Sequence, residues 1–214
     1  MRKLLLPAAA AAALLAVLPM TTASAASHSV LTTGKVGGPN VKVGAILKAS
    51  LAGKNKAVFS TGGGANVTCR KVTFTDKVTK NPAKPGTAME KLTKQTFASC
   101  TVAGISGATG VKTVKLNKLP YTTTIKDSKG DPVTVFGTNT TITLNTSLGP
   151  LSCTYKAKTT TGHASNPTQT ISFSGQKFTL LSGPGECPKR GTFSAKFGPV
   201  RDTSVKGSPH VFVN

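Results

Sequence analysis

The chain of 214 residues contains few of the side chains that carry out acid–base, nucleophilic or metal chemistry. Glycoside hydrolysis needs two facing carboxylates, and zinc or calcium sites need closely spaced ligands. Asp127 and Asp131 are close in sequence, but they flank a turn, where aspartate commonly hydrogen-bonds to the local backbone. We therefore expect no catalytic residue, no metal ligand and no bound cofactor. The groups considered are Asp76, Glu90, Asp127, Asp131, Glu186, Asp202, His28, His163 and His210.

Two glycine-containing segments resemble functional loops without matching them. Gly104-Ile105-Ser106-Gly107-Ala108 differs by one residue from the G-x-S-x-G pattern of serine hydrolases. The strand-like sequence after it does not fit the strand–turn–helix context of that motif. Thr61-Gly62-Gly63-Gly64-Ala65-Asn66 lacks the Lys-Ser/Thr ending of a phosphate-binding loop, so a turn is the better interpretation.

The four cysteines predict two disulfide bonds. Cys69, Cys100, Cys153 and Cys187 have no C-x₂-C spacing, which argues against a zinc site. An even number of cysteines in an exported chain favours disulfides, and three pairings are open. We favour Cys69–Cys100 and Cys153–Cys187, because each pair encloses an Asn-Pro step, at 81–82 and at 166–167. The two halves are either a degenerate internal duplication or two hairpins with the same turn signal.

Residues 1–25 are typical of a secretory signal peptide, which we expect to be helical. Arg2 and Lys3 precede the apolar run Leu4 to Leu18, and Ala23-Ser24-Ala25 provides small residues for cleavage after Ala25. The alternative is a membrane helix, but this needs about 20 consecutive apolar residues. We expect an exported product without a transmembrane segment.

The rest of the chain predicts an all-β protein. Valine, isoleucine and phenylalanine recur with period two and are separated by Gly, Pro and Asn, while crossover helices are missing from the pattern. We expect an antiparallel β-sandwich, Ig-like or jelly-roll-like, as one domain over 41–214 after a flexible lead-in at 26–40. One short helix is predicted near 88–96. The predicted strands are 41–51, 56–60, 67–75, 94–102, 111–116, 121–126, 132–136, 138–145, 151–158, 168–174, 176–182, 193–197 and 209–213.

The formal net charge of +21 is the clearest functional signal. Only Arg2, Arg70, Arg190 and Arg201 are arginines, and the other basic residues are lysines spread along the chain. Lysine is a strongly hydrated point charge, so this composition favours loose attraction to polyanions over bidentate recognition. Sequence-specific nucleic-acid binding is not expected, since it favours arginines at base edges. The alternative is that the lysines serve only solubility.

These observations predict a secreted, non-enzymatic binding or structural protein. Its partner would be an anionic wall polymer, a polysaccharide or another protein. One alternative is a hydrolase inhibitor that presents the disulfide-tethered loop Ser182-Gly183-Pro184-Gly185-Glu186-Cys187-Pro188. The other is an enzyme of unrecognised type.

Three segments resemble small secreted proteins of actinobacteria. They are Cys100-Thr101-Val102, Asn117-Lys118-Leu119-Pro120-Tyr121 and Leu148-Gly149-Pro150-Leu151-Ser152-Cys153-Thr154-Tyr155, and the Ala-rich leader adds to the likeness. The resemblance implies a bacterial, extracellular setting. Its motifs are structural, and no functional residue is carried over from it.

Overall fold

The computed structural model describes residues 27–214, so the predicted signal peptide lies outside the described residues. The described chain is built from antiparallel strands with one 3₁₀ turn at Gly62–Gly64. No helix within 27–214 has the length and apolarity needed to cross a membrane. The strands are β1 (Leu31–Thr33), β2 (Ile46–Ser50), β3 (Ala57–Thr61), β4 (Asn66–Lys80), β5 (Thr87–Ala103), β6 (Ala108–Leu116), β7 (Tyr121–Lys126), β8 (Pro132–Phe136), β9 (Asn139–Thr146), β10 (Gly149–Lys156), β11 (Thr159–Ser165), β12 (Thr170–Ser182), β13 (Arg190–Phe197), β14 (Arg201–Asp202) and β15 (Val211–Val213).

Eight of these strands close into an antiparallel β-barrel. The order is β11-β8-β7-β5-β4-β3-β13-β12, and β12 pairs back to β11 through His163–Ser165 and Thr170–Ser172. The predicted open β-sandwich, Ig-like or jelly-roll-like, is therefore wrong. Period-two alternation determines which side chains face inward, but it is the same in a sandwich and in a barrel. The ring is closed by one long-range pairing that the alternation does not encode.

Strands β4 and β5 are the longest and form the central ladder. Their pairing runs from Asn66–Ala103 to Lys80–Met89, with irregularities at Thr75/Asp76 and Val78/Lys80. The helix predicted near 88–96 is wrong, because these residues belong to β5. Its first part pairs with β4 on one side and β7 on the other. The local sequence suits a helix, but pairing on both sides outweighs that weak preference.

The strand pairings of the two halves correspond to each other. In the first half, β3 and β2 pair with successive parts of the long strand β4. In the second half, β9 pairs with β10 and β8 pairs with β11, so β10 and β11 together correspond to β4. Likewise β6 pairs with β9, as β13 pairs with β3. The correspondence fails at one place. Strand β13 is paired with β12, whereas β6 lies beside β5 without a backbone ladder.

The two disulfides join the cysteines as favoured from the sequence. Cys69 and Cys100 are directly opposite in the β4–β5 ladder. Cys153 of β10 is bonded to Cys187, which lies in the loop between β12 and β13. Both bonds contribute to the larger apolar cluster of the interior.

The two Asn-Pro steps hold the same small sheet from opposite sides. Strands β1 and β15 pair with Leu31 opposite Val213. The Asn81 side chain accepts a hydrogen bond from Leu31 N–H and donates to Leu31 O, both at 2.9 Å. The Asn166 side chain accepts from Val213 N–H at 3.0 Å and donates to Val213 O at 2.6 Å. Leu31–Thr33, which lie in the segment expected to lead into the domain, are buried in this sheet.

Candidate functional site

Of the nine acids and histidines considered from the sequence, Asp76 and Glu90 line one internal cavity, and the other seven do not line it. Asp127 accepts a hydrogen bond from Gly86 N–H at 2.8 Å, so its side chain links the turn after β7 to the start of β5, 41 residues away, in place of the local bond expected of it. His163 lies on β11 and contacts the turn between β7 and β8, with Nδ1 at 2.9 Å from Gly130 O. Within residues 27–214, no group of three or more His, Cys, Asp and Glu side chains is placed to hold a metal ion.

Three of the six acids are buried, which was not predicted from the sequence. Asp202 is 1% exposed and accepts a hydrogen bond from Ser204 N–H at 2.9 Å. Asp76 on β4 and Glu90 on β5 are each 6% exposed. Asp76 pairs with Leu92, and Glu90 lies two residues from Leu92 on the same face. The two carboxyl groups are therefore diagonal neighbours, whose Cβ atoms in such pairs are roughly 5–8 Å apart.

Both carboxyl groups line an internal cavity of about 140 Å³. Threonine hydroxyls from other strands line the same space: Thr123 on β7, Thr160 on β11, and Thr138 just before β9. The register explains this grouping, because Glu90 pairs with Thr123, Thr123 with Val135, and Val135 with Thr160. Glu90, Thr123 and Thr160 thus form a polar row on the inner face of the barrel, which is interrupted by Val135 on β8. The rest of the wall is mostly apolar.

Three buried polar atoms of the residues that line the cavity have no hydrogen-bond partner within the protein. They are Asp76 Oδ1, Thr123 Oγ1 and Thr138 Oγ1. A buried polar atom without a partner costs about 1–3 kcal/mol, so native proteins satisfy nearly all of them. These atoms could be satisfied by hydrogen-bonding groups placed in the cavity.

Burial also changes the proton affinity of the two acids. Desolvation raises the pKa of Asp76 to about 7. The pKa of Glu90 is raised well above its ordinary value, first by desolvation and then by the negative charge of Asp76. Near neutral pH the pair therefore retains protons that exposed carboxyl groups would have lost.

A sequence signal for these acids exists, but it is weak. Asp76 lies two residues before the buried Val78, and Glu90 lies between the buried Ala88 and Leu92 at alternate positions. The alternation therefore predicts that the side chains of Asp76 and Glu90 face the interior. Reading this signal requires knowing that 88–92 is a strand, which the helix prediction obscured.

The other half of the molecule has no carboxyl group at the position that corresponds to Asp76. Asp76 pairs with Leu47 of β2, and the corresponding pair on β11 and β8 is Thr160 with Val135. The acidic pair is therefore specific to one half of an otherwise matching arrangement. Beside the acidic pair, the cavity wall includes the seam between β5 and β6, where the two strands are adjacent but not paired by backbone hydrogen bonds. The lining residues at this seam are Gln95, Phe97, Val114 and Leu116.

The outer surface has the opposite charge. Within the described chain every lysine and arginine is exposed except Lys91 and Lys196, which are half-buried. Of the acids, only Glu186 is exposed, since Asp127 and Asp131 are half-buried and the other three are buried. Burying acids inside the barrel leaves the positive charge on the exterior uncompensated.

Five of these basic residues form a cluster that we call the basic band. It crosses the outer face of β14, β2, β4 and β5 and consists of Lys48, Lys77, Lys91, Lys94 and Arg201. Arg201 is directly opposite Lys48, and Lys77 is directly opposite Lys91. Like charges in such positions destabilise a sheet. The band is therefore a concentration of charge that the fold tolerates at some cost.

The loop considered for a hydrolase inhibitor is exposed. Residues 182–186 are exposed, and the following Cys187 is buried and tied to Cys153. This arrangement anchors the loop at one end.

Comparisons with protein-family models, with curated proteins and with solved structures give no match for this chain.

Proposed function

We propose that this is a secreted, non-enzymatic binding protein that associates with anionic polymers outside the cell through the basic band. The observation that carries the proposal is the placement of five cationic side chains on one face of adjacent strands. The two disulfides are compatible with an oxidising, extracellular compartment.

The geometry of the band suits a polymer with repeated negative charges. Neighbouring strands are about 4.8 Å apart, and alternate residues of one strand are about 7 Å apart. Several phosphate or carboxylate groups of one chain could therefore lie near lysines at the same time. Lysine contacts are adaptable and non-directional, so we expect affinity for charge density more than for a particular sugar or sequence.

The test compares two sets of four lysine-to-glutamine substitutions with the same change in net charge. One set removes band charges, with K48Q, K77Q, K91Q and K94Q. The matched control removes charges elsewhere, with K156Q, K158Q, K177Q and K189Q. Binding to an immobilised phosphate-containing wall polymer and to a carboxylated polysaccharide is measured from about 50 mM to about 500 mM NaCl, a range over which screening increases strongly.

We expect the band variant to lose about tenfold or more in affinity at low salt, while the control loses much less. Binding of the unmodified protein should fall steeply as salt rises. Equal losses in both variants would contradict a role for the band. Binding that does not change with salt would contradict an electrostatic mechanism.

A further inference from the structure

We propose that the cavity between β4, β5, β7 and β11 is a binding site for a small organic amine. Its ammonium group would pair with the carboxyl groups of Asp76 and Glu90, and its apolar part would fill the remaining space. This site is separate from the basic band and goes beyond the function proposed above.

The polar groups of the cavity call for a ligand that donates hydrogen bonds and carries positive charge. Asp76 and Glu90 both line it, and no lysine, arginine or histidine is among the lining residues. The nearest lysines of these strands, Lys77 and Lys91, are on the outer face of the sheet. Asp76 Oδ1 is an acceptor without a partner in the protein. An ammonium group offers three donors, which can reach both a carboxylate and a threonine hydroxyl.

The wall and the volume limit the rest of the ligand. Beyond the polar row the wall is lined by apolar side chains that include Phe173, Phe197, Ile125, Val133 and Leu92. An apolar cavity of about 150 Å³ in another protein holds one benzene molecule, and this cavity measures about 140 Å³. The apolar part should therefore be no larger than about one six-membered ring. A calcium ion is disfavoured, because it needs about six to eight oxygen ligands.

Binding would be coupled to a proton. Asp76 and Glu90 are the titratable groups that line the cavity. An amine that is protonated in solution displaces the proton of Asp76 to solvent and then pairs with the resulting carboxylate, so the charge of the site is balanced. Affinity should consequently fall as the pH drops below about 7, where Asp76 is protonated.

The seam between β5 and β6 provides a route to the cavity. Phe97 and Val114 lie on opposite sides of this seam, are half-buried and line the cavity. Because the two strands share no ladder, separating them breaks side-chain contacts but no backbone hydrogen bonds between them.

The test uses benzylamine as the probe and benzyl alcohol as a neutral probe of nearly the same shape. Binding to the full exported chain is measured by calorimetry and by NMR shifts of cavity residues at pH 7 and pH 5. The variants are D76N and E90Q, which preserve shape, and D127N is the matched control because it removes a carboxylate outside the cavity. Each variant's fold is checked from its NMR spectrum, and E90Q keeps the test decisive if D76N does not fold.

We expect benzylamine to bind one per chain, with affinity at least tenfold higher than that of benzyl alcohol. D76N or E90Q should weaken it at least tenfold, and D127N should leave it unchanged. Lowering the pH from 7 to 5 should weaken binding by up to about 100-fold if one proton is released. No binding at millimolar benzylamine, equal binding of benzyl alcohol, or unchanged affinity in both cavity variants would overturn the proposal. None of these outcomes would bear on the basic band.

Discussion

At the residue scale, Asp76 links the interior of the barrel to the stability of the whole fold. Its pKa is about 7 in the folded protein, against an ordinary value of 3.8. Between these two pH values the folded state keeps a proton that the unfolded chain has lost. The stabilisation from this group is thus complete below about pH 4 and is lost as the pH rises towards 7. The shift corresponds to about 4 kcal/mol as an order of magnitude. The raised pKa of Glu90 acts in the same direction.

We therefore predict that the free energy of unfolding decreases between pH 4 and pH 7, and that D76N removes much of this decrease. The asparagine has no charge to bury, so the variant should match the unmodified protein near pH 4 and be more stable near pH 8. Urea unfolding at several pH values measures this. D127N should retain the full slope, because Asp127 lies outside the cavity in a turn. A stability that rises from pH 4 to pH 7 in the unmodified protein would contradict the prediction.

At the element scale, two asparagine side chains provide hydrogen bonds that a neighbouring strand would otherwise provide. Asn81 and Asn166 each bond to both backbone groups of one residue in the β1–β15 sheet. A short two-stranded sheet has little stability alone. Its order therefore depends on these two amide groups and on the apolar cluster beneath it, which includes Val30, Leu31 and Val213.

We predict that N166A lowers the free energy of unfolding by about 1–3 kcal/mol, since the partners of Val213 N–H and O are both removed. Amide hydrogen exchange should show loss of protection in β15 and β1 before the barrel strands are affected. N166D is the informative comparison, because aspartate keeps the acceptor for Val213 N–H and loses the donor. Its cost at neutral pH should be at least as large as that of N166A, because a carboxylate oxygen then faces Val213 O, where the amide donated at 2.6 Å. Equal protection of β15 in N166A and the unmodified protein would refute the role of this side chain.

The elements also show where sequence reasoning reaches its limit. Alternation located most strands, such as β9, because Ile142 and Leu144 face the core and the intervening threonine does not. It could not show that the sheet closes, since closure depends on the pairing of β11 with β12. It also misassigned 88–96, where a helix-compatible sequence is held as strand by two neighbours. The cavity was missed because its acids come from separate strands and are brought together only by register.

At the scale of the whole molecule, the charge is divided between outside and inside. The exterior carries the lysines, and Asp76, Glu90 and Asp202 are buried. Without Arg2 and Lys3, the described residues have a net charge of +19, which acts mainly from the surface, where it attracts anions and repels cations over about a Debye length. The two proposed sites should consequently respond to salt in opposite ways.

We predict that raising NaCl from about 50 mM to about 500 mM weakens polymer binding while benzylamine binding stays constant or strengthens slightly. Salt screens the attraction of the band for a polyanion, but it also screens the repulsion that an approaching ammonium ion meets. Parallel titrations of one protein preparation with both probes make the comparison. If benzylamine binding weakened together with polymer binding, the amine would be held by surface charge and not by the cavity.

The pairing of β1 with β15 has a consequence for how the chain matures. Leu31 and Val213 are partners, so β1 cannot form its sheet until the chain has been synthesised as far as β15. Until then Val30 and Leu31, which are 0% and 2% exposed in the finished fold, stay uncovered. Contacts of such sequence separation slow folding. Formation of the β1–β15 sheet is therefore a late event in the folding of this chain.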